Sequence, residues 1–238
     1  MIFTRKLLWA QQNLLSERNI KGMNDMAYLE ELTDRYPGLD PVKESVRKAY
    51  EILKECFSSG HKLLVAGNGG SAADSEHIVG ELMKGFVKRR CLPEDMVRRM
   101  EEIDGQTGRE LASKLQEGLP AIALTGHPGL STAFLNDVDG QLCFAQQILG
   151  YGKKGDVFLG ISTSGNSANI LYGAIVAKAQ GMKVIGLTGR GGGRLASIAD
   201  VVVAVDEQET YKVQELHLPV YHCLCLMVEK EMFGSTKV

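Results

Sequence analysis

The chain has 238 residues, enough for one α/β domain with a sizeable core. Its 27 basic and 29 acidic residues leave a formal charge of -2, so no overall field draws in a polyanion and nucleic acid is not an expected partner. No stretch approaches the ~18 consecutive apolar residues of a membrane span, and Cys56, Cys91, Cys143, Cys223 and Cys225 form no C-x-x-C pair, so a soluble cytoplasmic protein with reduced thiols is expected.

Residues 1–22 suit either a short amphipathic helix, through Leu7, Leu8, Leu14 and Leu15, or a loosely held extension, and Met23 is an alternative start. Gln11, Gln12 and Asn13 interrupt the apolar run before a secretory core forms. A helical pattern around Tyr28, Leu29 and Leu32 stops before Pro37. Asp40 and Pro41 then read as an N-cap and first helical position, followed by the stripe Val42, Val46, Ala49, Tyr50, Leu53 and Phe57. Residues 1–39 are thus expected to be an N-terminal helical extension, and residues 40–238 the domain. These helices carry more apolar surface than one sheet face needs, which points to packing against another subunit.

Lys62 to Ala66 reads as a buried parallel strand, and Gly67 to Glu81, GNGGSAADSEHIVGE, as a glycine turn leading into a helix. The charge-rich stretch 87–118 has helical spacing over Pro93 to Ile103 and again over Gly108 to Leu115, so an inserted helical hairpin is expected, with Arg89, Arg90, Arg98 and Arg99 on a solvated face. Further strands are expected at Ala121–Leu124, Val157–Ile161, Val184–Leu187 and Val201–Val205, with helices between them and a closing helix from about Tyr211 to Met232. Apolar strands alternating with helices imply a parallel sheet covered on both faces, with ligands at the carboxyl ends of its strands.

Gly67, Gly69 and Gly70 let a ligand approach the backbone, and the free N–H groups from Ser71 onward form an anion site. Gly67, Gly69 and Ala72 also satisfy the dinucleotide fingerprint G-x-G-x-x-A, but the next strand comes too late and ends in Thr125 and Gly126, not in an acid. His77 and Glu81 leave one helix face, four residues apart. Ser162 to Ser167, STSGNS, places hydroxyls on a strand-to-helix turn that suits a phosphate dianion. No G-x-x-x-x-G-K-[ST] motif is present to suggest a nucleotide triphosphatase. On the last helix Gln214 and His222 share a face, and Pro219 should bend it between them. His77, Glu81, Gln214 and His222 suit a transition metal such as zinc and suit general acid/base work equally. His61, His127 and His217 read as ordinary structural or surface histidines.

The motifs GNGGSAADSEHIVGEL, LND, GDVFLGISTSGNSANI, GMKVIGLTG and VQELHLPVYHCLCLMVEKEMF resemble the sugar isomerase (SIS) domain family, and within it the phosphoheptose isomerases. The resemblance covers most of residues 40–234 and leaves 87–118 outside. It implies a three-layer αβα sandwich around a five-stranded parallel sheet, a homotetramer with active sites between subunits, and conversion of sedoheptulose 7-phosphate to D-glycero-D-manno-heptose 7-phosphate. It also implies Glu81 as general base and His222 as general acid. Ser162, Thr163, Ser164 and Ser167 would hold the phosphate, with Asn68 and Ser71 opposite and Asp137 on sugar hydroxyls. His77, Glu81, Gln214 and His222 would be the zinc positions. Two departures are Lys84, Gly85 and Phe86, where the isomerases carry an arginine, and Tyr211 where they carry an aspartate. The alternative is a non-catalytic sugar-phosphate sensor or partner-binding protein, like the branch that binds the replication initiator DnaA.

Overall fold

The computed structural model describes residues 26–234. The expectations for residues 1–22 and for Met23 lie outside these. The first described helix, α1, spans Met26–Arg35 and ends before a 3-10 segment, Pro37–Val42. That segment corrects the expected helix start: Asp40 and Pro41 belong to the tighter turn, and α2 begins at Lys43 and runs to Ser58 with no side-chain cap. The Lys43 N–H donates to the Asp40 carbonyl, so the backbone, not the Asp40 side chain, leads into the helix.

The sheet consists of β1 (Leu63–Ala66), β2 (Ala121–Ala123), β3 (Val157–Ser162), β4 (Lys183–Thr188) and β5 (Val201–Ala204), in the order β2-β1-β3-β4-β5. All four pairings are parallel. Side chains alternate between faces along each strand, and the core divides accordingly. Leu63, Val65, Val157, Leu159, Ile161, Ile185, Leu187 and Val203 face α1, α2 and the last helix, α9 (Thr210–Phe233). Leu64, Ala66, Phe158 and Val184 face α7 (Cys143–Tyr151) and α8 (Ala168–Ala179). Strands buried on both sides read as unbroken apolar runs, which is why β1 and β3 were legible.

Helix α3 (Gly70–Met83) follows β1. The stretch after it holds α4 (Glu94–Ile103) and α5 (Gly105–Lys114), joined at Asp104, whose carboxylate accepts from the Thr107 N–H. After β2 comes α6 (Pro128–Asp137). The chain runs outward from β1 to β2, then crosses back to β3 on the other side of β1. The strand order therefore reverses between β1 and β3, where open parallel sheets form a crevice at their carboxyl ends. Among the described residues, no helix is long and apolar enough to cross a membrane.

Candidate active site

Both glycine- and hydroxyl-rich turns lie at this crevice. The turn after β1 enters α3 through Gly69, whose φ of 56° is a left-handed value that glycine adopts without strain. Gly70 faces Gln214 so closely that a Cβ there would lie 2.7 Å from Nε2, which fixes the amide of Gln214 against the first turn of α3. Across the crevice, Asn68 and Asn169 exchange two amide hydrogen bonds, at 3.0 and 2.8 Å. Ser71 is buried at the start of α3, and the structure corrects the expected free N–H groups there: the N–H of Ser71 donates to the Asn68 carbonyl, and those of Ala72 and Ala73 to that of Gly69.

The turn after β3 is shaped from within. Ser162 and Ser167 hydroxyls lie 3.0 Å apart, and Asn166 donates its side-chain amide to the Ser164 carbonyl at 2.8 Å. The following loop clamps it: Gly189 N–H donates to the Thr163 carbonyl, Leu195 N–H to that of Gly165, and Arg194 N–H to the Asn166 side chain. The result is a pre-formed concave turn with the hydroxyls of Ser162, Thr163, Ser164 and Ser167 at the amino end of α8.

Helices α3 and α9 run side by side in the same direction. Gly70 meets Gln214, Asp74 and His77 meet Tyr221 and His222, and the end of α3 is tied through Arg90 to Glu229. This register converts two sequence spacings into one cluster. His77 Nε2 lies 3.2 Å from Glu81 Oε1, and Lys84 Nζ lies 2.8 Å from Glu81 Oε2. The His222 ring stands edge-on to His77 with centroids 5.0 Å apart, and Phe86 tilts against its other side at 5.4 Å. Burial lowers the His222 pKa, His77 adds to the effect and Glu81 opposes it, so the ring is neutral near pH 7. Its Nε2 is buried with no protein partner.

Behind the cluster, Tyr221 OH donates to Asp74 Oδ1 at 3.2 Å and lies 3.0 Å from His77 Nδ1. Burial raises the Asp74 pKa, with the Tyr221 bond and His77 pulling it back. Burial, and then Asp74, push the Tyr221 phenol upward. Neither residue stood out in the sequence; their partnership crosses 147 positions.

The structure also corrects the reading of Arg90 as a solvated side chain. It is 2 % exposed; Nη2 lies 2.8 Å from Glu229 Oε1, and Nη1 and Nη2 donate to the carbonyls of Leu82 and Glu81. Glu229 accepts in addition from the N–H groups of Phe86, Val87 and Lys88. Asp137 is exposed at the end of α6 and accepts from its neighbour Asn136, so it is not drawn into the cluster. His217 is a buried core residue bonded to the Thr188 carbonyl, His61 pairs with Asp156, and His127 packs on Tyr151.

Among the described residues, no three His, Cys, Asp or Glu side chains stand in ligand geometry around one point. The donor types nevertheless suit zinc: two imidazoles and a carboxylate lie together on facing helices, one imidazole nitrogen is an orphan, and the Gln214 amide lies on the same face of α9, two turns away against Gly70. A parallel sheet with a crevice at its strand ends, and an imidazole–carboxylate cluster on two of the flanking helices, defines an α/β domain of the ligand-binding kind.

The SIS domain profile matches residues 27–111 and 101–189, and the chain belongs to the SIS domain family. It is 40% identical to the phosphoheptose isomerase of Geotalea daltonii over 187 residues, 79% of this chain and 84% of that protein. It is 35% identical to the phosphoheptose isomerase of Aneurinibacillus thermoaerophilus over 204 residues, 82% of this chain and 90% of that protein. Among solved structures it is similar to a phosphoheptose isomerase from Francisella tularensis, with a TM-score of 0.68, 29% identity and coverage of 86% and 95% of the two chains.

Proposed function

We propose that the chain is a phosphoheptose isomerase, an aldose–ketose isomerase converting sedoheptulose 7-phosphate to D-glycero-D-manno-heptose 7-phosphate. Curated relatives matched over most of both chains are phosphoheptose isomerases, which supports a sugar-phosphate isomerase. The observation that carries the chemistry is the Glu81–His77–His222 cluster on α3 and α9, with α3 starting at the crevice that holds the phosphate-suited turn.

In this reading Ser162, Thr163, Ser164 and Ser167 hold the phosphate at the amino end of α8, with Asn68, Gly69, Gly70 and Ser71 across the crevice. Gln214 contacts the sugar, and Asp137 reaches its hydroxyls only if α6 shifts. Anchoring the remote phosphate holds the reacting carbon near Glu81 and removes much of the entropic barrier. Glu81 takes a proton from C1, and the enediol forms as the C2 carbonyl becomes a hydroxyl. The same proton, or one from solvent, returns at C2. His222, neutral at rest, moves a proton from O1 to O2, so that an aldehyde remains at C1. His77, Glu81, Gln214 and His222 would hold zinc, which when bound supplies a Lewis acid for the carbonyl oxygen.

A homotetramer is the proposed assembly. The cleft between α1 and α9, lined by Tyr28, Glu31, Arg35, Leu218 and His222, is where a second copy would complete the site. Phosphorus and proton NMR of the purified protein with a panel of ketose phosphates, beginning with sedoheptulose 7-phosphate, tests the assignment. A new aldose phosphate signal identifies the sugar; saturable binding of every sugar without a product would favour a sensor instead.

A further inference from the structure

His77 has two ring nitrogens with different surroundings. Nε2 faces the cluster, 3.2 Å from Glu81 Oε1, while Nδ1 faces Tyr221 OH at 3.0 Å. Tyr221 is 1% exposed and has one proton to give. Asp74 Oδ1 lies 3.2 Å from the same oxygen, and as a carboxylate it can only accept. The phenol proton therefore goes to Asp74, and the phenol oxygen is left to accept from His77 Nδ1–H. A neutral imidazole that donates at Nδ1 has its lone pair at Nε2.

We propose that Tyr221, backed by Asp74, is a positioning residue that fixes the Nδ1–H tautomer of His77 and so presents the Nε2 lone pair beside Glu81. Nε2 and Oε1 are then two acceptors 3.2 Å apart, an unfavourable pair until something positive or protic lies between them. Their spacing is close to the ~3.3 Å separation of two ligands each about 2.0–2.1 Å from a tetrahedral ion. The pair is thus set for a divalent cation, zinc being the ion its donors suit, or for a hydroxyl of a bound sugar. Tyr221 acts only through His77: its ring crosses both His77 and His222 edge-on, which locks the phenol in place. This inference takes the zinc and sugar side of the cluster from the proposed function, yet the tautomer itself is a property of the free protein.

The test uses full-length protein labelled with nitrogen-15 histidine, stripped of metal and held at pH 8, with the His77 signals assigned through His77→Gln. Long-range proton–nitrogen correlation reads the tautomer directly, and competition with a chelator gives zinc affinity. Wild type is expected to show the Nδ1–H form. Tyr221→Phe removes the acceptor, so His77 reverts to the Nε2–H form common in water, and zinc affinity falls roughly 10- to 100-fold. Asp74→Ala retains the phenol but frees its proton to turn towards Nδ1, which predicts the same reversal if the phenylalanine variant does not fold. A wild-type Nε2–H form would overturn the proposal. So would a folded variant whose tautomer and zinc affinity stay within twofold of wild type. Absence of isomerase activity with any sugar would count against the proposed function and leave the tautomer result intact.

Discussion

Arg90 and Glu229 form an ion pair, Nη2 to Oε1 at 2.8 Å, from which water is almost wholly excluded. The pair joins the segment after α3 to α9, and through Arg90 it caps the last carbonyls of α3, including that of Glu81 itself. A buried pair of this kind is fragile to the loss of one partner, because the remaining charge keeps its desolvation cost without compensation.

Glu229→Gln should therefore destabilise the fold by about 3–5 kcal/mol, since it strands the Arg90 guanidinium and weakens the acceptor for three backbone N–H groups. Urea unfolding followed by circular dichroism measures this. A loss under about 1 kcal/mol, in the range of exposed pairs, would mean that the pair is solvated in solution.

Ser167→Ala removes one of two hydroxyls that meet at 3.0 Å in the turn after β3. If that turn holds the phosphate, the variant loses a hydrogen bond to a charged group, worth about 1.5–3 kcal/mol. KM for the sugar phosphate should rise roughly 10- to 100-fold, with kcat much less affected. Steady-state kinetics decides it, and an unchanged KM would move the phosphate elsewhere in the crevice.

Burial depresses the His217 pKa to about 4, with the Thr188 carbonyl opposing it. Because the folded value lies below the unfolded one of about 6.5, the unfolded chain binds the extra proton first on acidification. Stability is thus level above pH ~6.5 and declines as pH falls towards 4, by on the order of 2 kcal/mol at pH 5 from this residue. His217→Gln, which retains a donor for Thr188, should flatten that decline in denaturant titrations at pH 7 and pH 5. An equal decline in the variant would assign the acid sensitivity to other groups.

Much of the architecture was legible because burial leaves a local trace. Leu63–Ala66 and Val157–Ile161 are apolar throughout as both faces are covered, and Val46, Ala49, Tyr50, Leu53 and Phe57 form a stripe because one face of α2 is. His77 with Glu81, and Gln214 with His222, were readable from helical spacing, but their meeting depends on the parallel register of α3 and α9. Arg90 was misread for a physical reason. It sits in a charge-rich stretch, and only a carboxylate 139 positions away decides that it is buried. Nothing in the local pattern singles out Tyr221, since its partner Asp74 lies on another helix. The Asp40–Pro41 cap failed because the same residues also suit a 3-10 turn.

In the proposed mechanism Glu81 takes a proton from carbon, and deuterium exchange reads that step directly. Wild-type protein and Glu81→Gln are incubated with sedoheptulose 7-phosphate in D2O and followed by NMR. Wild type should form aldose phosphate carrying deuterium at the carbon next to the carbonyl, at a rate that falls roughly 10²–10⁴-fold in the variant. Sugar returned unchanged and free of deuterium by folded wild-type protein, or exchange undiminished in Glu81→Gln, would contradict it.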